Sequence, residues 1–275
     1  MIIDAHQHFW QYHPVKDAWI TDDMKVIQED FLPHHLLPVL QENDVDGCVA
    51  VQADQSETET SFLLDLAAQH NFIKGVVGWV DLRSDDLQER LAHFSRYEKL
   101  KGFRHIVQGE PDPAFILRKD FCQGIRALST YNFTYDILVY PIQLPAVAAF
   151  VQQFPDQRLV IDHMAKPDFK TGDISTWETH MRAIAQHPNV YCKLSGLVTE
   201  ADWQKWEAAH FVPFLDVVLE AFGPARLMFG SDWPVCKLAA TYTEVKAIVT
   251  DYISPLSETE RAGIMGGNAV RFYGL

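Results

Sequence analysis

The chain has 275 residues, 48% hydrophobic and 22% charged, which is ordinary for a globular protein long enough to bury a large core without disulfides. A formal charge of -14 speaks against a nucleic-acid or anionic-membrane surface. No apolar stretch is long enough to span a bilayer, and the opening MIIDAHQH lacks the basic-then-apolar order of a signal peptide, so a cytoplasmic protein is expected.

Short β-branched runs alternate with longer amphipathic segments along the chain. Strands are predicted over 2–6, 46–53, 74–80, 102–106, 133–139, 158–163, 190–195 and 226–232. Most are apolar nearly throughout, as parallel strands covered on both faces are. Helices are predicted over 57–70, 119–131, 142–154, 174–187 and 203–222, with apolar residues recurring at three and four positions, as in Phe62, Leu63, Leu66 and Ala67. Pro145 falls near a helix start, where proline is tolerated. Eight strands with intervening helices predict a single-domain (β/α)₈ TIM barrel over residues 1–275. An open doubly wound sheet is the competitor, but no GxGxxG follows the first strand. Two long connections, 9–33 and 107–118, follow strand ends on the side where barrels build their pockets. Cys48, Cys122, Cys192 and Cys236 form no CxxC pair and read as free thiols in a reducing compartment.

The chemistry-bearing residues gather at strand ends. His6 and His8 are two apart, so on a strand they face the same side and can grip one cation. Asp4 shares that side by the same alternation. His163 ends the apolar run of LVIDHMAKP, and Asp232 ends that of RLMFGSDWP. The four together can hold one metal or polarise a carbonyl directly, and the carboxylate can take a proton from water. Arg104 and His105 are adjacent and should face opposite ways on a regular strand. Gln52 and Asp54 end the second strand, and Lys166 follows His163. Lys193 and Ser195 share a face, and a buried lysine needs a partner, so Lys193 is expected either to pair with an interior acid such as Asp4 or to contact substrate. The other histidines carry no assigned chemistry, and Trp79, Trp177, Trp203 and Trp206 read as packing residues.

Longer motifs point further. DAHQHFW, VVGWVDL, GFRHIVQGEPD, FTYDILVYP, LVIDHMAKP, YCKLSGLVTEADW, RLMFGSDWPVC and GGNAVRFYGL, in this order, resemble the amidohydrolase superfamily. Within it they resemble the sugar-lactone hydrolases, the branch of the L-fuconolactonases and L-rhamnonolactonases. The resemblance implies a (β/α)₈ barrel and opening of a lactone ring by water. It carries the HxH pair to His6 and His8, the later histidine to His163, the last-strand acid to Asp232, and the Arg-His substrate contacts to Arg104 and His105. The bridging lysine or glutamate of binuclear relatives has no clear counterpart here, and the fifth strand carries no histidine.

The expectation is therefore a hydrolase that opens a small sugar lactone to the aldonic acid, with Asp232 as general base. His6, His8, His163 and Asp232 hold at most one divalent ion, with zinc favoured, or act on the carbonyl without metal. Trp10, Gln52, Arg104, His105 and Lys166 are the candidate substrate contacts, with Tyr12 beside Trp10 in the first long loop. Non-oxidative decarboxylation, or a catalytically silent binding barrel, is the alternative. No nucleic-acid or membrane partner is expected, and the sequence leaves the oligomeric state open.

Overall fold

A computed structural model describes all 275 residues. Eight parallel strands stand in chain order: β1 (Ile3–Gln7), β2 (Gly47–Val51), β3 (Ile73–Gly78), β4 (Leu100–His105), β5 (Thr134–Ile137), β6 (Leu159–Ile161), β7 (Val190–Leu194) and β8 (Leu227–Phe229). The helices are α1 (Pro33–Glu42), α2 (Glu57–Gln69), α3 (Leu87–Phe94), α4 (Lys119–Thr130), α5 (Leu144–Val151), α6 (Ser175–Ala185), α7 (Leu197–Glu200), α8 (Ala208–Phe222), α9 (Tyr242–Tyr252), α10 (Glu258–Ala262) and α11 (Asn268–Tyr273). Beyond β8 the ring is closed by backbone contacts to β1. Asp232 N donates to His6 O at 2.8 Å, and His8 N donates to Trp233 O at 2.7 Å. The expected (β/α)₈ barrel is what forms.

Two apolar layers follow from strand alternation. Outward-facing strand residues pack under the helices in one large core. Inward-facing Ile3, Ala5, Val49, Val51, Val77, Val160 and Met228 fill the lower barrel together with Ala269, Phe272 and Tyr273 of α11. The final helix is thus the barrel's floor. Lys101 and Arg158 fasten it by donating to the carbonyls of Gly274 and Phe272.

The structure corrects the sequence reading in three places. First, the register of β1 against β2 shifts between Asp4 and Gln7. Such a shift breaks the two-residue alternation. Asp4 therefore leaves the barrel interior and binds Ser231 N, Ser231 Oγ and the Tyr242 hydroxyl at 2.9, 2.5 and 3.1 Å. It shares no side with His6 and does not partner Lys193. Second, β6 and β8 stop at Ile161 and Phe229, earlier than expected, because the chain turns left-handed at His163 through Lys166 and again at Asp232. Third, the helix expected from Trp203 begins at Ala208, which leaves Trp203 in a loop at the barrel mouth.

Candidate active site

β1 ends by delivering His6 and His8 to the C-terminal mouth of the barrel, and the closing seam brings Asp232 against them. His6 Nε2 and His8 Nε2 lie 3.2 Å apart. Asp232 Oδ1 is 3.4 Å from His8 Nε2, 4.0 Å from His6 Nε2 and 3.9 Å from His163 Nε2. The ligand atoms of His6, His8 and Asp232 lie within 4.8 Å of one another, His163 Nε2 stands beside the carboxylate, and all four residues are buried.

Each group is aimed from behind. His8 Nδ1 meets Val51 O at 2.8 Å, which places the proton on Nδ1 and leaves the Nε2 lone pair facing the cavity. His163 Nδ1 is 2.9 Å from Ser195 Oγ. Thr199 donates to Asp232 Oδ2 at 3.0 Å, so Oδ1 is the free oxygen. Two glycines make room for the rings. A Cβ at Gly196 would sit 2.7–2.9 Å from His163 ring and Cβ atoms, and one at Gly230 would sit 2.7 Å from His6 Cβ. The left-handed run at His163, Met164, Ala165 and Lys166, with φ of 53°, 51°, 57° and 52°, is unusual for residues other than glycine. Backbone strain of this kind gathers at functional sites.

Beneath the imidazoles lies a buried ionic cluster that the sequence reading missed. Asp162 binds Arg104 at 3.0 Å and Lys193 at 2.9 Å, and approaches His6 Nδ1 at 3.4 Å. Lys193 also binds Asp136 at 2.6 Å, and Asp136 accepts from the Tyr273 hydroxyl at 2.7 Å. Both acids were visible in the motifs LVIDHMAKP and FTYDILVYP, beside better-known residue types. Burial pushes the Asp136 carboxyl up to about 6, against the pull of Lys193. At Asp162 the burial effect is overcome by Lys193, His6 and Arg104, which hold it well below the usual carboxylate range. Burial dominates at His163, which is pulled down to about 4 and stays neutral near pH 7. At Asp232 burial raises the carboxyl, but His163, His8 and His6 outweigh it and keep it ionised.

The cavity above this cluster has a volume of about 480 Å³, within the usual range for small-molecule sites. His8, His163, Asp232 and Arg104 form its floor, and Lys166 stands on its wall, paired with Glu200 at 2.8 Å. Trp19, Met24, Gln108, Tyr140, Thr199 and Trp203 also line it. Trp203, read from sequence as a packing residue, is therefore a wall of the pocket. A wider groove of about 840 Å³ lies beyond Trp203 and Trp233, but none of the converging histidines reaches it.

Three expected substrate contacts stand elsewhere. Gln52 is fully buried behind Arg104, accepting from its guanidinium and donating to its carbonyl at 3.1 Å. Trp10 is buried under the first loop, with its indole N–H on Glu29 O at 2.9 Å. His105 faces away from the barrel interior, as alternation requires, stacks on Phe115 and meets Glu110 at 2.7 Å. None of the three lines the cavity.

The donor set fits a divalent ion. Tetrahedral zinc with bonds of about 2.0–2.1 Å separates its ligand atoms by roughly 3.3 Å. The Nε2 atoms of His6 and His8 and Oδ1 of Asp232 are spaced at 3.2, 3.4 and 4.0 Å, near that value. A second grouping of His6, Asp162 and His163 also exists. There, however, the carboxylate is already engaged by Arg104 and Lys193.

His6 and His8 at the end of β1, His163 after β6 and Asp232 after β8 thus stand together at one mouth of a TIM barrel. The chain matches the amidohydrolase family over residues 3–275 and belongs to it. It is 45% identical to the L-fucono-1,5-lactonase of Burkholderia multivorans, over 99% of this chain and 96% of that protein. The L-fucono-1,5-lactonase of Burkholderia ambifaria is 38% identical, over 98% of this chain and 94% of that one. A crystal structure of an amidohydrolase from Burkholderia multivorans with bound zinc superposes with a TM-score of 0.97 at 44% identity, covering 100% of this chain and 99% of that one.

Proposed function

We propose that this chain opens a sugar lactone with water to give the aldonic acid, with L-fucono-1,5-lactone the first substrate to test, and that Asp232 is the general base. The carrying observation is the state of Asp232. One oxygen is occupied by Thr199, while the other is ionised and lies within 4.0 Å of the Nε2 atoms of His6, His8 and His163. A water among these atoms gives its proton to Oδ1 as its oxygen attacks the lactone carbonyl carbon. The negative charge that grows on the carbonyl oxygen is met by the guanidinium of Arg104, which reaches the cavity floor. When the intermediate collapses, the ring C–O bond breaks. The departing ring oxygen takes back the proton from Asp232, so one water is consumed and no other reactant is needed.

The pocket wall supports the sugar assignment. Gln108, Lys166, Tyr140 and Glu200 offer donors and acceptors for hydroxyl groups, and Trp19 and Trp203 offer flat faces for the ring. His6, His8 and Asp232 would hold a divalent ion, zinc by the softness of imidazole. Such an ion supplies Lewis acidity to the carbonyl oxygen. An aldonic acid product would place the enzyme in carbohydrate metabolism. The test is a pH-indicator assay against a panel of aldonolactones, with carbon dioxide followed in parallel. Acid release without carbon dioxide is the expected result. Carbon dioxide from an aromatic acid, with no lactone opened, would replace this reading by decarboxylation.

A further inference from the structure

Lys193 lies below the cavity, out of reach of any substrate, yet it touches the back of His6. Its ammonium meets Asp136 Oδ2 at 2.6 Å and His6 Nδ1 at 3.1 Å, and is ion-paired with Asp162 Oδ1 at 2.9 Å. All of these residues are fully buried, so the ammonium has no water to turn to. We propose that Lys193 is a positioning residue that fixes His6 in the Nε2–H tautomer, making it a hydrogen-bond donor to His8 and weakening its hold on a metal ion.

Donor and acceptor accounting supports this. If Lys193 donates to Nδ1, the single proton of the neutral ring is on Nε2. That proton points to His8 Nε2 at 3.2 Å, a bare lone pair because His8 Nδ1–H is committed to Val51 O. Every group in the chain from Lys193 to Val51 then has one partner of the right kind. In the other tautomer the Nδ1 proton faces an ammonium at 3.1 Å. Its remaining acceptor, Asp162 Oδ1 at 3.4 Å, lies beyond good hydrogen-bond distance and is already held by Lys193. The third N–H of Lys193 would be left with only the Tyr273 ring, 5.6 Å away. Arg104 does not reverse the choice. Its contact to His6 Nε2 is long, at 3.4 Å, and the same nitrogen donates to Asp162 Oδ2 at 3.0 Å.

The consequence concerns both roles of His6. As an Nε2–H donor it is tied to the lone pair of His8 Nε2 and keeps the two rings in register. To ligate an ion it must first move its proton to Nδ1 and displace the Lys193 N–H. Lys193 thus sets the balance between a hydrogen-bonding and a metal-binding site. The inference needs the site geometry but not the lactonase reading, and its test uses no substrate.

The experiment is long-range ¹H–¹⁵N correlation on chelator-treated protein, with the His6 ring assigned by comparison with His6→Gln. A protonated Nε2 and an unprotonated Nδ1 are expected, and a protonated Nδ1 in the unaltered protein overturns the proposal. Lys193→Met alone leaves two buried carboxylates uncompensated and risks misfolding. The paired variant Lys193→Met with Asp136→Asn removes one charge of each sign. There the His6 proton should move to Nδ1, facing Asp162. Zinc affinity, read by competition with a chromophoric chelator, should tighten about tenfold or more, the scale on which groups behind a metal ligand act. Unchanged or weaker zinc binding in the folded paired variant would equally overturn the proposal.

Discussion

The backbone N–H of Asp232 donates to the carbonyl oxygen of His6 at 2.8 Å, across the seam where the last strand segment meets the first. Closing the barrel and assembling the site are therefore one event. Residues 226 positions apart in sequence reach each other because the eighth stave must pair with the first. The bond uses main-chain atoms, so side-chain substitutions at either residue leave the seam intact.

This separates chemistry from stability at Asp232. Asp232→Asn keeps the size, the backbone bond and an acceptor for Thr199, but removes basicity. A fall in kcat on the order of 10² or more is expected, with KM changed far less, because the base acts mainly in the transition state. Unfolding should remain cooperative and close to that of the unaltered protein. Near-normal turnover of the best lactone by this variant would remove Asp232 from the role of base.

Gly196 tests how the His163 ring is held. Its φ of +67° is left-handed, and an added Cβ would meet the His163 ring at 2.7 Å. Gly196→Ala therefore costs about 1–3 kcal/mol of stability through the backbone, and it pushes His163 out of its place beside Asp232. Loss of activity larger than the loss of folded protein is expected, measured as turnover per folded molecule after a melt. An alanine variant that keeps full turnover would mean that the position of His163 is not critical.

How far the sequence revealed all this depends on what each element's pattern encodes. The strands were legible because parallel staves covered on both faces read as apolar runs. His6, His8, His163 and Asp232 were legible because each polar residue ends such a run. Asp4 was misplaced because a register shift is invisible to a rule of strict alternation. Trp203, Thr199 and Trp19 were missed because a loop has no period to say which way a side chain faces. Asp162 and Asp136 were overlooked because an acid inside a barrel becomes significant only once its cations, Lys193 and Arg104, are seen to converge on it from other strands.

Glu59 gives the expected pH dependence of stability. It sits on α2, nearly buried, with Ala53 N donating to it at 3.2 Å and Lys16 at 3.7 Å. Burial outweighs Lys16 and pushes its carboxyl from 4.5 up to about 7. The folded state therefore binds this proton more tightly than the unfolded chain does. The stabilisation is complete below pH 4.5 and is lost as pH rises through about 7. Glu59→Gln keeps the shape and the bond to Ala53 but cannot ionise. Melting curves at pH 5 and pH 8 should show the unaltered protein losing a few degrees more than the variant. Equal losses would show that Glu59 has its ordinary acidity in the folded protein.

Arg104 and His105 provide the sharpest contrast, because they are neighbours in sequence and were paired as substrate contacts by resemblance. The structure sends them to opposite faces of β4. Arg104 reaches the cavity floor and binds Asp162, while His105 stacks on Phe115 and holds Glu110 in the connection that follows. Arg104→Gln should lower kcat/KM on the order of 10² or more, because it withdraws a charged donor from the developing oxyanion and leaves Asp162 with Lys193 alone. His105→Gln can still hydrogen-bond Glu110 and touches nothing in the cavity, so KM should stay within about twofold. Its effect should appear instead as a lower melting temperature, through lost stacking on Phe115 and Phe121. If His105→Gln raised KM severalfold while the melting temperature stayed put, His105 would have to reach the substrate, and β4 would not present its side chains as the structure has them.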